Sequence, residues 1–167
     1  MLQLNKATHS DINRIADLAK LIWNQHYLSI IGQDQVNYML DKIYNYESLL
    51  NQFSELNHLF FLISLNGKDI GFISISSRNE EDFFIHKFYV DQDCANTGIG
   101  TQILSQLEKT FSPKTISLTV NRQNFKSINF YFKNNFKIKS VEDFDIGNGY
   151  VMNDFVMYKT RSYCYAC

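Results

Sequence analysis

Gly98 and Gly100, separated by Ile99 and flanked by Thr97 and Thr101, follow the apolar run Phe88-Tyr89-Val90 through a short polar turn. A strand, a tight glycine turn and a helix start make an anion cradle: the first-turn N–H groups have no intrahelical partner, and the helix dipole adds partial positive charge there. Phosphate can be held in such a turn without a basic side chain. Residues 101–111 carry Ile103, Leu104, Leu107 and Phe111 at helical spacing, so the turn does open a helix. Two common phosphate motifs are excluded. Thr97-Gly98-Ile99-Gly100-Thr101 has no lysine for a Walker loop, and Leu104 stands about where a dinucleotide fingerprint needs its last glycine. Cys164 and Cys167 form a C-x-x-C pair, but it opens no helix and has no further pair with which to hold zinc. No metal site is expected.

The elements that must position this turn follow from pattern. Residues 2–7 read as a strand. A helix then starts at Thr8 or Ser10, with Ile12, Ile15, Leu18, Ala19 and Ile22 on one face. Residues 34–46 and 47–53 read as two more helices. The apolar runs 59–65 and 70–75 flank Asn66-Gly67, a type I′ turn pair, and predict a hairpin. Strands are predicted over 83–90, 115–120, 136–141 and 150–160, with a helix over 124–133. Hairpins within a βαβ order predict a mixed sheet that gains a parallel pair where helix 101–111 crosses over.

Apolar residues make up 45% and charged residues 20% of the 167, with 14 Phe and 10 Tyr, which excludes a disordered or coiled-coil chain. The length predicts one domain over residues 1–160 and a tail over 161–167. A formal charge of −1 without a basic run argues against a nucleic-acid partner. No stretch approaches the roughly 18 apolar residues that span a bilayer, and Met1 to Lys6 lacks a signal-type apolar run. A cytoplasmic protein with no membrane partner is expected, and three cysteines fit its reducing conditions.

Val90 followed by Gly98-Ile99-Gly100 resembles the acetyl-CoA loop of the GCN5-related N-acetyltransferase (GNAT) superfamily, in which a strand ending in Val leads to Arg/Gln-x-x-Gly-x-Gly/Ala. Leu118-Thr119-Val120, Asn124, Phe130-Tyr131 and Asn135-Phe136 resemble that family's second series. The ending from Asn148 to Lys159, with Ile22-Trp23-Asn24 and Tyr38-Met39-Leu40, is similar to the branch that holds bacterial polyamine acetyltransferases. The resemblance implies an α/β (α+β) fold, a mixed, mostly antiparallel sheet of about 6–7 strands with about 4 helices. It also implies acetyl-CoA as cosubstrate. The backbone of Phe88, Tyr89 and Val90 would bond the pantetheine arm, Asn96, Thr97, Gly98, Ile99, Gly100 and Thr101 the pyrophosphate, and Asn124 the same arm as the strand. Tyr131 would touch the cosubstrate and protonate the departing thiolate. Ala95 stands where the family has Arg or Gln, and Asn96 where glycine is usual. The lost guanidinium contact is worth roughly 1.5–3 kcal/mol in a dry site, while Asn96 tolerates a left-handed backbone.

Phe84 falls where some members carry a catalytic glutamate, so His86 on the same strand is the candidate proton acceptor. Glu81 and Asp82 read as turn charges. Glu142, Asp143, Asp145 and Asp154 suggest a negative mouth for a polycation, offset by Lys137, Lys139 and Lys159. The resemblance makes the acceptor a polyamine or other small primary amine. A protein N-terminus or lysine, or a non-catalytic acyl-CoA-binding module, are the alternatives. A homodimer would pair through a late edge strand bearing Phe155, Val156 and Met157.

Overall fold

The computed structural model describes residues 1–94 and 97–161. In chain order the elements are β1 (Leu2–Lys6), α1 (Ile12–His26), α2 (Leu28–Ile31), α3 (Gln33–Ile43), α4 (Tyr46–Ser54), β2 (Leu59–Leu65), β3 (Lys68–Ser77), β4 (Asp82–Val90), α5 (Ile99–Phe111), β5 (Thr115–Asn121), α6 (Phe125–Lys133), β6 (Lys137–Gly147) and β7 (Tyr150–Thr160). The strands form one seven-stranded sheet in the order β1-β2-β3-β4-β5-β7-β6. β4 pairs in parallel with β5, Asp82 opposite Thr115 and Ile85 opposite Leu118, as the crossover predicts. The described residues fall into two compact units, one of Met1–Ser76 with His86–Ser105, the other of Ser77–Ile85 with residues from Gln106 onward.

In the first unit the Asp11 carboxylate accepts the Thr8 backbone N–H at 3.0 Å, fixing a short 3₁₀ turn ahead of α1. Ile12, Ile15, Leu18, Ala19, Ile22 and Trp23 of α1 are buried, the face that the spacing predicts. The β2–β3 hairpin turns at Asn66 (φ 52°) and Gly67 (φ 81°), both left-handed as a type I′ turn requires. Absent from the sequence reading are α2, a single turn too short to show a period, and the 3₁₀ segment Gln92–Cys94.

In the second unit β6 runs to Gly147, beyond the predicted end at 141, in antiparallel register with β7. One expectation is corrected. Phe155, Val156 and Met157 do not lie on an edge: β7 sits between β5 and β6, Leu118 and Ile138 both oppose Met157, and Met157 is fully buried. The outer strand here is β6, so the pairing surface invoked for a homodimer is already used inside the sheet.

Candidate active site

In the first unit, α5 opens directly after Gly98, whose φ of +80° suits glycine although its missing side chain faces open space. The Thr97 hydroxyl donates to the Cys94 carbonyl at 2.7 Å and ties the turn to the preceding 3₁₀ segment. The Gln102 N–H bonds the Gly98 carbonyl at 3.1 Å. The N–H groups of Ile99, Gly100 and Thr101 stand ahead of that first intrahelical bond, the arrangement that an anion needs. Asn96 and its neighbour Ala95 lie outside the described residues.

Phe88, Tyr89 and Val90 end β4. Tyr89 packs into a cluster of Trp23, Tyr27, Tyr44 and Phe72, with ring centroids 5.5 to 6.5 Å from its own. Beside it β3 makes a very close approach: a Cβ on Gly71 would lie 2.1 Å from the Tyr89 carbonyl oxygen. His86 bonds the Ser76 hydroxyl at 2.7 Å and stacks on His58 with centroids 3.7 Å apart. Burial, helped by the nearby Lys87 charge, holds His58 down to about 4, so it is neutral near pH 7.

Lys87 was not singled out from sequence, because one lysine in an apolar strand carries no motif. It is buried, donates to the side-chain carbonyl of Gln52, and lies over the rings of Tyr44 and Phe60 at 5.7 and 5.6 Å. Burial pulls its ammonium down to about 7. The unfolded chain keeps that proton up to about pH 10.4, so folding releases it between these values, and stability rises with pH across that window. Lys87→Met should flatten this rise: between about pH 7 and about pH 9, the wild-type melting temperature should climb more steeply than that of the variant.

In the second unit, Asn124 caps α6. Its Oδ1 accepts the Ser127 N–H at 3.1 Å, while its Nδ2, on a residue only 2% exposed, finds no partner among the described residues. A buried amide N–H without an acceptor is costly, so a carbonyl from outside the chain is the natural complement. Tyr131, further along α6, is 7% exposed, with its ring against Phe130 and Phe136 at 5.2 and 5.3 Å. Burial pushes its phenol above the ordinary range, which keeps the proton in place at working pH.

The four predicted carboxylates separate. Asp143 pairs with Arg122 at 2.5 Å, Glu142 and Asp145 are exposed, and Asp154 is buried. Glu81 pairs with Lys114 at 3.2 Å, whereas Asp82, read from sequence as a turn charge, opens β4 opposite Thr115, where hydrogen bonding from Asn79 and Thr115 holds its carboxyl low. Phe84 lies under the Arg78 guanidinium at 4.7 Å. Cys164 and Cys167 lie outside the described residues, among which no group of acids, cysteines and histidines could hold a metal ion. No described helix is long and apolar enough to cross a membrane.

Known proteins share the sequence pattern and the fold. The family model described as Acetyltransferase (GNAT) family matches residues 16–136. The chain is 28% identical over 152 residues to a spermidine N(1)-acetyltransferase of Thermoplasma acidophilum, covering 86% of this chain and 93% of that protein. Its fold matches the crystal structure of PaiA N-acetyltransferase from Thermoplasma acidophilum in complex with coenzyme A, with a TM-score of 0.79 and 26% identity over 96% of this chain and 99% of the other. A GCN5-related N-acetyltransferase structure from Rhodopseudomonas palustris shares the fold at a TM-score of 0.78 and 18% identity, with 95% of both chains covered.

Proposed function

Because the chain belongs to the acetyltransferase (GNAT) family, and is thereby an N-acetyltransferase that uses acetyl-CoA, we propose that its acceptor is a polyamine, spermidine first, attacked at a primary amine. The observation that carries the assignment of residues is the unpartnered Nδ2 of Asn124, a buried donor at the residue where the family binds the pantetheine arm. The residues present therefore suit the cosubstrate. Acetyl-CoA supplies an activated acyl group on a good leaving thiolate. The backbone of Phe88, Tyr89 and Val90 would bond the pantetheine amides as an added strand does. The N–H groups of Thr97, Gly98, Ile99, Gly100 and Thr101 would hold the pyrophosphate. By the resemblance Asn96 would also contact the pyrophosphate.

Direct attack needs the amine to lose a proton and the sulfur to gain one. His86 would accept the first, with its ring orientation set by Ser76 and the His58 stack, and Tyr131 would donate the second. The polyamine reading is supported by the relative named as a spermidine N(1)-acetyltransferase.

Two measurements test the proposal. Calorimetric titration should show one acetyl-CoA per chain, and an amine panel should show spermidine turned over in preference to peptide N-termini and lysine. In Asn124→Asp the Oδ1 cap to Ser127 survives while the Nδ2 donor is replaced by an acceptor. Its acetyl-CoA affinity should fall about 10-fold or more, the cost of setting an acceptor against a carbonyl. Unchanged affinity would remove Asn124 from the site, and an acceptor panel led by peptides would replace the polyamine.

A further inference from the structure

Asp154 lies on β7, directly opposite Asn121, the last residue of β5. The Asn121 carbonyl accepts the Asn124 N–H at 2.9 Å, and the Arg122 N–H bonds the Asn153 carbonyl at 2.9 Å, so these residues stand together at one end of the β5–β7 ladder. Asp154 is only 4% exposed, and its Oδ1 has no partner among the described residues. The carboxylate accepts from the Thr119 hydroxyl and feels the charge of Arg122, whose guanidinium bonds Asp143 on β6 at 2.5 Å, but its Oδ1 is left without a donor among the described residues. The same ladder end thus holds one buried carboxylate oxygen without a donor and one buried amide N–H, on Asn124, without an acceptor.

Burial at this level selects for a complement, since a lone buried carboxylate oxygen is among the costliest groups to leave unmet. With the Asn124 amide given to a carbonyl of the pantetheine arm, the Asp154 oxygen is left to take an N–H from another group. The acceptor amine, which must come up to the acyl end of that arm, carries such an N–H. We propose that Asp154 is an amine-binding residue of this enzyme, its Oδ1 receiving an N–H of the acceptor. The inference deepens the polyamine reading and rests on it. Burial raises the Asp154 carboxyl to about 6, against smaller lowering effects of the Thr119 hydroxyl and the Arg122 charge. A bound ammonium would lower it again.

The test is Asp154→Asn in the full chain, reading kcat/KM for spermidine, calorimetric affinity for CoA, and melting temperature together. The expected result is a folded variant with CoA affinity within about 2-fold of wild type and kcat/KM lower by about 30-fold or more, as when one partner of a buried charge pair is removed. A kcat/KM within about 3-fold of wild type overturns the assignment and leaves the acetyltransferase reading standing. Should the variant fail to fold, wild-type protein answers. With CoA bound, the Asp154 carboxyl carbon resonance is titrated from about pH 4 to about pH 8 with and without saturating spermidine. Its midpoint should fall when the amine is present, and an unmoved midpoint overturns the proposal. A wild-type chain that neither binds nor acetylates any amine in the panel sinks the polyamine reading and Asp154 with it.

Discussion

Tyr131→Phe should lower kcat with spermidine by about 10²-fold or more while leaving acetyl-CoA affinity within about 2-fold, because general-acid assistance is worth about 10²–10⁴-fold and ring packing is not what is removed. The phenylalanine ring can keep the contacts with Phe130 and Phe136, so the lost atom is the hydroxyl alone. Burial holds that hydroxyl in its protonated form well above neutral pH, which suits a group that must give a proton to a thiolate. Steady-state kinetics with parallel calorimetry check the split between turnover and binding. A core tyrosine with no part in the chemistry would leave kcat within about 3-fold and lower only the melting temperature. That outcome would pass the proton-donor role elsewhere and revive the reading of the fold as an acyl-CoA-binding module.

How much was legible depended on whether the signal was local. Asn66-Gly67 could be read because two consecutive left-handed residues leave few alternatives to a hairpin, and the structure has both. The glycine turn before α5 and the parallel β4–β5 pair were legible for a related reason: a strand, a turn and a crossover helix constrain one another. The order β5-β7-β6 was not legible, since nothing in the local pattern of residues 136–160 tells which of the last two strands goes inside. Asp154 was misgrouped for the same reason. In sequence it joins Glu142, Asp143 and Asp145, but as the strand central to β5, β6 and β7 takes its place, Asp154 is carried into the interior while Glu142 and Asp145 stay exposed. Lys87 was missed because its partners, Gln52, Tyr44 and Phe60, are far from it in the chain.

Gly71→Ala should be strongly destabilising for the first unit. The added Cβ would meet the Tyr89 carbonyl oxygen at 2.1 Å and the Val90 Cα at 2.9 Å, both backbone atoms that no rotamer change can move aside. Relief requires β3 and β4 to separate locally, against the bond from the Asp91 N–H to the Ile70 carbonyl at 2.7 Å. Overpacking of this kind costs about 3 kcal/mol, which for a chain of this size lowers the melting temperature by roughly 6–12 °C. Gly67→Ala is the matched control, because its φ of +81° is strained for alanine but its Cβ meets nothing within 4 Å. It should cost only about 1 kcal/mol. The larger penalty at Gly71 has a functional corollary, since the backbone it displaces is the Tyr89–Val90 segment assigned to the pantetheine arm. Thermal melts of the two variants rank the structural cost, and acetyl-CoA titration below their melting temperatures should show weakened binding for Gly71→Ala but not for Gly67→Ala. Equal loss of affinity in both would mean that general destabilisation, not displacement of the end of β4, governs cosubstrate binding.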